Sequence, residues 1–370
     1  MAILKICSPQ LGIAPDSNSG GEVYDREVLS TLAERGAKIY CLIPKNRKYP
    51  SIKNLIIKRA PVTHMVPPYI FNYFVWFYIN RTYKNEGFNI LRVHSPYYVG
   101  PAAVIFRRFH NKIPVVASYL HLDDSSFIQN LVDRILIRHF DHIITISRST
   151  KNEIVKRFFV PESKITVAYP GVEKKYHPSS KNTKMLAKFG LEKKKVILFL
   201  GGLKTRKNPF FLLKLISKLN QDTVLLLAGD GPLRLPMECY VRKNNFYKSV
   251  IFAGYVLEDE KVNYYNLADI VVLPSLKEGF CMIAAEAQAC GKPVVASDNS
   301  SLPEVVENNR TGFLAETNNI NVWLEKINIL LRDERLRNKM GMEGEKQVRS
   351  KFSWNKNALI HEQVYENFIR

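Results

Sequence analysis

DIVVLPSLKEGFCMIAAEAQACGKPVVA, residues 269–296, reads as strand, short loop, helix and strand. Asp269 to Leu273 is β-branched and apolar, Pro274 and Ser275 interrupt it, Gly279 opens a turn, and helix formers run from Cys281 to Cys290 before Gly291 ends them. Such a unit belongs to a parallel α/β sheet. Two carboxylates lie on it with seven residues between them, Glu278 at the helix entrance and Glu286 along the helix. Neither position demands an acid for folding. A carboxylate accepts two hydrogen bonds side by side, which suits the vicinal hydroxyls of a sugar or ribose. The amides of Gly279, Phe280, Cys281 and Met282 fall at the positive end of the helix dipole, where an anion is favoured. A ligand with hydroxyls at one end and a diphosphate at the other fits this pattern. The structural alternative is that Glu278 caps the helix and Glu286 sits on a solvated face.

The run continues through GKPVVASDNSSLPEVV to TGFL at residues 311–314. As a whole it resembles the E-x7-E signature of the retaining family 4 glycosyltransferases. The resemblance implies a GT-B fold, with two Rossmann-like doubly wound α/β domains facing across a cleft. It also implies a UDP- or GDP-sugar donor, retention of anomeric configuration and no required metal.

At 370 residues two domains are expected, over 1–175 and 176–352, with a C-terminal helix over 353–370 that resemblance returns to the first domain. The net charge is +20, of which residues 1–180 supply +12 from 25 Lys and Arg against 13 Asp and Glu. The five cysteines form no C-x-x-C pair and no zinc-like spacing with histidine, so they read as reduced, buried thiols. Lys5 and Pro9 interrupt any signal-like apolar run, and the aromatic-apolar stretch of residues 69–79 is about half the ~20 residues that a spanning helix needs. A cytoplasmic protein is expected, peripheral on a membrane at most.

The chain opens with a strand over residues 3–7, a loop ending in Gly20 and Gly21, and a helix from Glu22 to about Arg35. Backbone amides at such a helix start can hold a phosphate, and glycine lets it approach the main chain. The family places a glycine-rich loop and a following acid here, so Gly21 becomes a donor-phosphate contact by resemblance. From Arg35 to Lys84 there are ten Lys and Arg and no acid, together with the aromatic helix candidate PYIFNYFVWFYINRTYK. Cations beside Trp, Tyr and Phe suit an anionic membrane surface. Aromatics packed on the sheet, with solvated lysines, are the alternative. Nucleic acid ranks last, because no recognised nucleic-acid motif accompanies the charge.

Strands follow over 90–94, 115–118, 142–146 and 165–168, and in a doubly wound sheet ligands lie beyond the strand C-termini. His94 ends one strand in HSPYY, and His121 follows another in HLDD. His121 matches the family's histidine that faces the transferred sugar; a hydrogen-bonded structural histidine is the alternative. Asp123 and Asp124 raise the question of a divalent cation, but no Asp-x-Asp motif is present and no metal is expected. A Lys-, Ser- and Pro-rich linker is expected over 173–195.

The second domain opens with the strand VILFL, residues 196–200, and the loop GGLKTRKNP. Lys207 matches the family lysine that neutralises the leaving diphosphate. The family arginine falls on Gly202, so Arg206 either substitutes for it or that charge is missing. The strand over 250–256 resembles the family's unit beside the nucleotide base, with Tyr255 and Val256 as backbone contacts. The resemblance thus assigns the sugar to Glu278, Phe280 and Cys281, the ribose to Glu286 and the sugar's far side to His121. No carboxylate is placed as a nucleophile, which favours front-face attack over a covalent intermediate. A binding subunit without activity and a nucleotide-sugar epimerase remain as alternatives, whereas the missing G-x-G-x-x-G disfavours a dehydrogenase. The acceptor class implied is a glycan or a lipid-linked sugar.

Overall fold

The computed structural model describes residues 3–17, 19–63, 67–94, 96–122, 127–220 and 222–369. The chain divides into two compact units, Met1–Gly171 with Trp354–Arg370, and Val172–Ser353. The break comes slightly ahead of residue 175. The segment read as a linker holds a helix of its own, because Asn182 caps the amide of Met185 and Gly190 closes the turn.

The first unit runs β1 (Lys5–Cys7), α1 (Gly20–Glu34), β2 (Lys38–Ile43), β3 (Leu55–Arg59), α2 (Pro68–Glu86), β4 (Ile90–His94), α3 (Pro96–Phe109), β5 (Val115–Tyr119), α4 (Phe127–Leu136), β6 (His142–Thr145), α5 (Arg148–Phe158) and β7 (Ile165–Val167). Its described strands pair in the order β3-β2-β1-β4-β5-β6-β7, all parallel. β4 and β5 are buried along their whole length, as strands covered on both faces must be. β2 and β3 have no counterpart in the sequence reading. KIYCLI is a short apolar run without a decisive period, and β3 is an edge strand whose Lys58 and Arg59 are exposed, a common guard against edge pairing.

The second unit runs α6 (Thr183–Phe189), β8 (Lys195–Leu200), α7 (Pro209–Ile216), β9 (Thr223–Ala228), α8 (Arg234–Lys243), β10 (Val250–Gly254), α9 (Lys261–Leu267), β11 (Ile270–Leu273), α10 (Met282–Ala289), β12 (Val294–Ser297), α11 (Leu302–Val305), β13 (Gly312–Ala315), α12 (Ile320–Arg332) and α13 (Glu334–Lys351). Its sheet order is β10-β9-β8-β11-β12-β13, again parallel. β10 is shorter than expected, since Gly254 turns left-handed (φ +77°) and leaves Tyr255 and Val256 in the following loop. The core gathers Phe199, Leu227, Val272 and Trp323, all within 1% of full burial.

The last helix, α14 (Trp354–Ile369), belongs to the first unit and packs on α1. Trp354 meets Tyr24 edge-on at 5.9 Å, Tyr24 Oη lies 3.2 Å from His361 Nε2, and Arg35 forks onto Glu362 at 2.8 and 2.9 Å.

Candidate functional site

Each sheet reverses its winding once, between β1 and β4 in the first unit and between β8 and β11 in the second. The loops leaving such neighbouring strands diverge to opposite faces and open a crevice at the carboxyl edge. In the second unit these are the loop after β8, with Arg206 and Lys207, and the loop after β11, with Glu278. The Leu276 amide donates to the Arg206 carbonyl at 2.8 Å, which ties the two together.

Glu278 is 6% exposed, and Lys207 Nζ donates to its Oε1 at 2.5 Å. Arg206 Nη1 reaches Oε2 at 3.4 Å and the Lys277 carbonyl at 3.2 Å, while its side chain stays 56% exposed. The Glu278 amide donates to Ser300 Oγ at 3.0 Å, and Ser301 Oγ donates to the Glu278 carbonyl at 3.1 Å. Burial raises the carboxyl pKa, but Lys207, with Ser275 and Arg206 adding to it, brings the group below the usual range. Glu278 is therefore no helix cap. The N-cap of α10 is Cys281, whose side chain makes no capping bond, so the first amides of α10 open toward this loop. Cys281 sits left-handed at φ 71°, a conformation that favours glycine, and burial pushes its thiol up to about 12. The Phe280 ring packs on Phe352 at 5.1 Å in the core.

Glu286 does not lie on a solvated face. It is 3% exposed and takes a hydrogen bond from Tyr265 Oη at 2.6 Å, with Lys261 Nζ at 3.9 Å, both on Oε2. Lys261 is held at 2.6 Å by Glu258, which also accepts from Tyr176 Oη at 2.5 Å. Burial raises the Glu286 pKa against the pull of Lys261. The three acids at 258–260 thus divide their roles. Glu258 is a buried ion-pair partner, and Asp259 and Glu260 are exposed at the entrance of α9.

In the first unit, α1 starts at Gly20 without a side-chain cap. A Cβ on Gly21 would meet only Leu120 Cδ1 at 3.5 Å, an ordinary contact, so the fold itself does not require glycine here. His121 is exposed just beyond β5. Asp123 and Asp124 lie outside the described residues. Sequence reasoning missed a buried network at the β1/β4 switch, where Asp25 of α1 pairs with Arg92 at 2.6 Å and with His94. Burial raises the Asp25 pKa, but His94 and Arg92 together bring it below the usual range. An Arg flanked by Leu91 and Val93 in a buried strand was the available signal.

Gly202 has ordinary backbone, and its nearest Cβ neighbour would be Lys204 Cε at 3.5 Å, so the missing arginine is not forced by packing. Tyr255 is exposed and Val256 buried at the end of β10. Four cysteines are buried as expected, while Cys239 is exposed on α8.

Two family models match this chain, Glycosyltransferase Family 4 over residues 18–176 and Glycosyl transferases group 1 over residues 181–347. An uncharacterised glycosyltransferase of Methanocaldococcus jannaschii is 31% identical over 292 residues, covering 76% of each protein. The solved sucrose-phosphate synthase of Thermosynechococcus elongatus aligns with a TM-score of 0.85 at 20% identity over 99% of both chains. HepE of Anabaena, solved with UDP, aligns with a TM-score of 0.79 at 16% identity over 98% of this chain and 100% of that one. At such identities the structural likeness concerns the fold, two parallel-sheet α/β domains of the GT-B type.

Proposed function

This chain belongs to the GT-B group 1 glycosyltransferases, and from that membership we propose that it transfers a sugar from a UDP- or GDP-sugar to a glycan or lipid-linked acceptor, retaining the anomeric configuration and requiring no metal. The observation that carries the donor reading is Glu278, a buried carboxylate held by Lys207 at the winding reversal of the second sheet. A carboxylate in that place accepts sugar hydroxyls. The cations beside it meet the diphosphate, which leaves with the electron pair of the anomeric C–O bond, and they stabilise the charge as it develops. The amides that open α10 add donors without a charge of their own. Glu286 receives the ribose through Oε1, since both of its contacts named above fall on Oε2. Tyr255 and Val256 offer backbone groups to the base. In the first unit the Gly21 amide serves an anionic group, and the His121 ring serves a hydroxylated ligand.

The test is a thermal-shift and slow-hydrolysis screen against UDP- and GDP-sugars in the presence of chelator. Stabilisation by one nucleotide class, with slow release of one sugar whose first-formed anomer matches the donor by NMR, is the expected result. An inverted anomer, or activity abolished by chelator and restored by a divalent cation, would overturn retention or metal independence respectively.

A further inference from the structure

The helix α2 is apolar on both sides. Its inner face, with Phe71, Val75 and Ile79, is buried against the first unit's core. The opposite face carries Tyr69, Tyr73, Trp76 and Phe77, which are 73%, 65%, 36% and 56% exposed. These four recur at helical spacing on one stripe, which ends in the exposed Arg81 and Lys84. Apolar residues around the whole circumference belong to a helix covered on every side, yet here one side faces solvent. The surface does not stop at α2. Next to it α3 exposes Phe109 and Arg108, and α4, packed against α3, exposes Ile128, Leu131 and Ile135 in an i, i+3, i+7 row beside Arg134 and Arg138.

The charges choose the occupant. Only two acids lie on these three helices. Glu86 is engaged by Tyr40 at 2.8 Å and by Lys38, and Asp133 is buried beneath Tyr119. Among the described residues of α2, α3 and α4, every ionised side chain on the outward surface is therefore cationic, apart from the engaged Glu86. A second copy docked face to face would set these cations against their own kind, which is unfavourable. Tyr and Trp beside Lys and Arg are the side chains that settle at the boundary between headgroups and acyl chains. No helix among the described residues is long and apolar enough to cross a membrane, so this face would lie on the surface without spanning it.

We infer that the outer face of α2, continued by α3 and α4, docks on an anionic phospholipid bilayer. The aromatic side chains enter the interface, and Arg81 and Lys84 pair with lipid phosphates. This goes beyond the donor chemistry and does not depend on it, because docking is read with no donor present.

The experiment sediments the full chain with vesicles of phosphatidylcholine alone or mixed with phosphatidylglycerol, at low and high salt. Binding to the mixed vesicles only, lost at high salt, is expected. In a Trp354→Phe background, Trp76 should shift its emission to the blue on binding, with Trp323 buried and unchanged. Tyr73→Ser/Phe77→Ser should abolish binding. Arg81→Gln/Lys84→Gln should weaken it roughly tenfold or more, following the attraction of each basic residue to an anionic surface. Both variants should retain wild-type slow hydrolysis of a water-soluble donor, which shows that the chain remains folded. Failure to bind mixed vesicles overturns the inference, as does a concentration-dependent dimer that Tyr73→Ser/Phe77→Ser dissociates. A chain that docks on vesicles but turns over no donor would instead refute the transferase chemistry alone.

Discussion

Replacing Lys207 with Met removes a charge while keeping the length of the side chain, and it isolates the pair on which the donor site rests. Lys207 is 16% exposed and Glu278 5% by side chain, so the variant strands a buried carboxylate. Breaking a buried pair in this way costs about 3–5 kcal/mol. Arg206 remains at 3.4 Å, but its side chain is 56% exposed, and such an exposed partner returns at most about 1 kcal/mol. The expected loss is roughly 2–4 kcal/mol, or on the order of 10 °C in the melting of a unit of this size. The sign with pH follows. In the wild type Lys207 holds the Glu278 pKa low, so the pair's contribution is complete above the ordinary carboxyl range and disappears only as the pH falls through the folded-state value. In the variant burial dominates and raises that pKa, so the folded state loses stability as the pH rises. The difference from wild type should therefore widen between pH 5 and pH 8. Urea melts in a Trp76→Phe/Trp354→Phe background, where Trp323 reports on the second unit, measure it. Adding Glu278→Gln should recover most of the loss. A cost below about 1 kcal/mol, or no recovery in the double variant, would refute the pairing argument.

Glu286→Gln should leave the chain at least as stable as wild type at pH 7.5, because burial holds the Glu286 pKa up and the ionised form opposes folding above the usual carboxyl range; turnover should fall about a hundredfold, and a lowered melting temperature would count against this. Asp25→Asn leaves Arg92 buried without its counter-ion and should cost about 3–5 kcal/mol, a gap that closes only as the pH falls below roughly 4; denaturant melts at pH 7 and pH 3.5 check it. Gly202→Arg should fold normally and improve kcat/KM for the donor several-fold by adding a further cation to Lys207 and Arg206 at the diphosphate, and steady-state kinetics decide it.

Much of this arrangement was legible in order along the chain, and the rest was hidden for physical reasons. The β11–loop–α10–β12 unit declared itself because β-branched residues, two helix-breaking glycines and a helix-forming run follow each other within thirty positions. The Lys207–Glu278 bond did not, since its partners are 71 residues apart and meet only when β8 and β11 become neighbours. The residues of α10 alone left Glu286 open between a ligand contact and a solvated face, because α10 is rich in alanine, which gives no contrast between faces; the structure buries both faces around it. The outer side of α2 was equally undecidable, because an evenly apolar helix carries no periodicity to show which side is left uncovered. Asp25 and Arg92 are 67 residues apart, and each alone looks like an ordinary charged residue.

The most direct measurement is calorimetric titration of the wild type, Lys207→Met and Glu278→Gln with the preferred nucleotide diphosphate and with the corresponding nucleotide-sugar. If Lys207 meets the diphosphate and Glu278 meets the sugar, Lys207→Met should weaken both ligands by about tenfold or more, in line with a lost charge-assisted bond. Glu278→Gln should leave the bare nucleotide almost unaffected and remove only the extra affinity contributed by the sugar. Wild-type affinity for both ligands in both variants would contradict the assignment of this site to the donor.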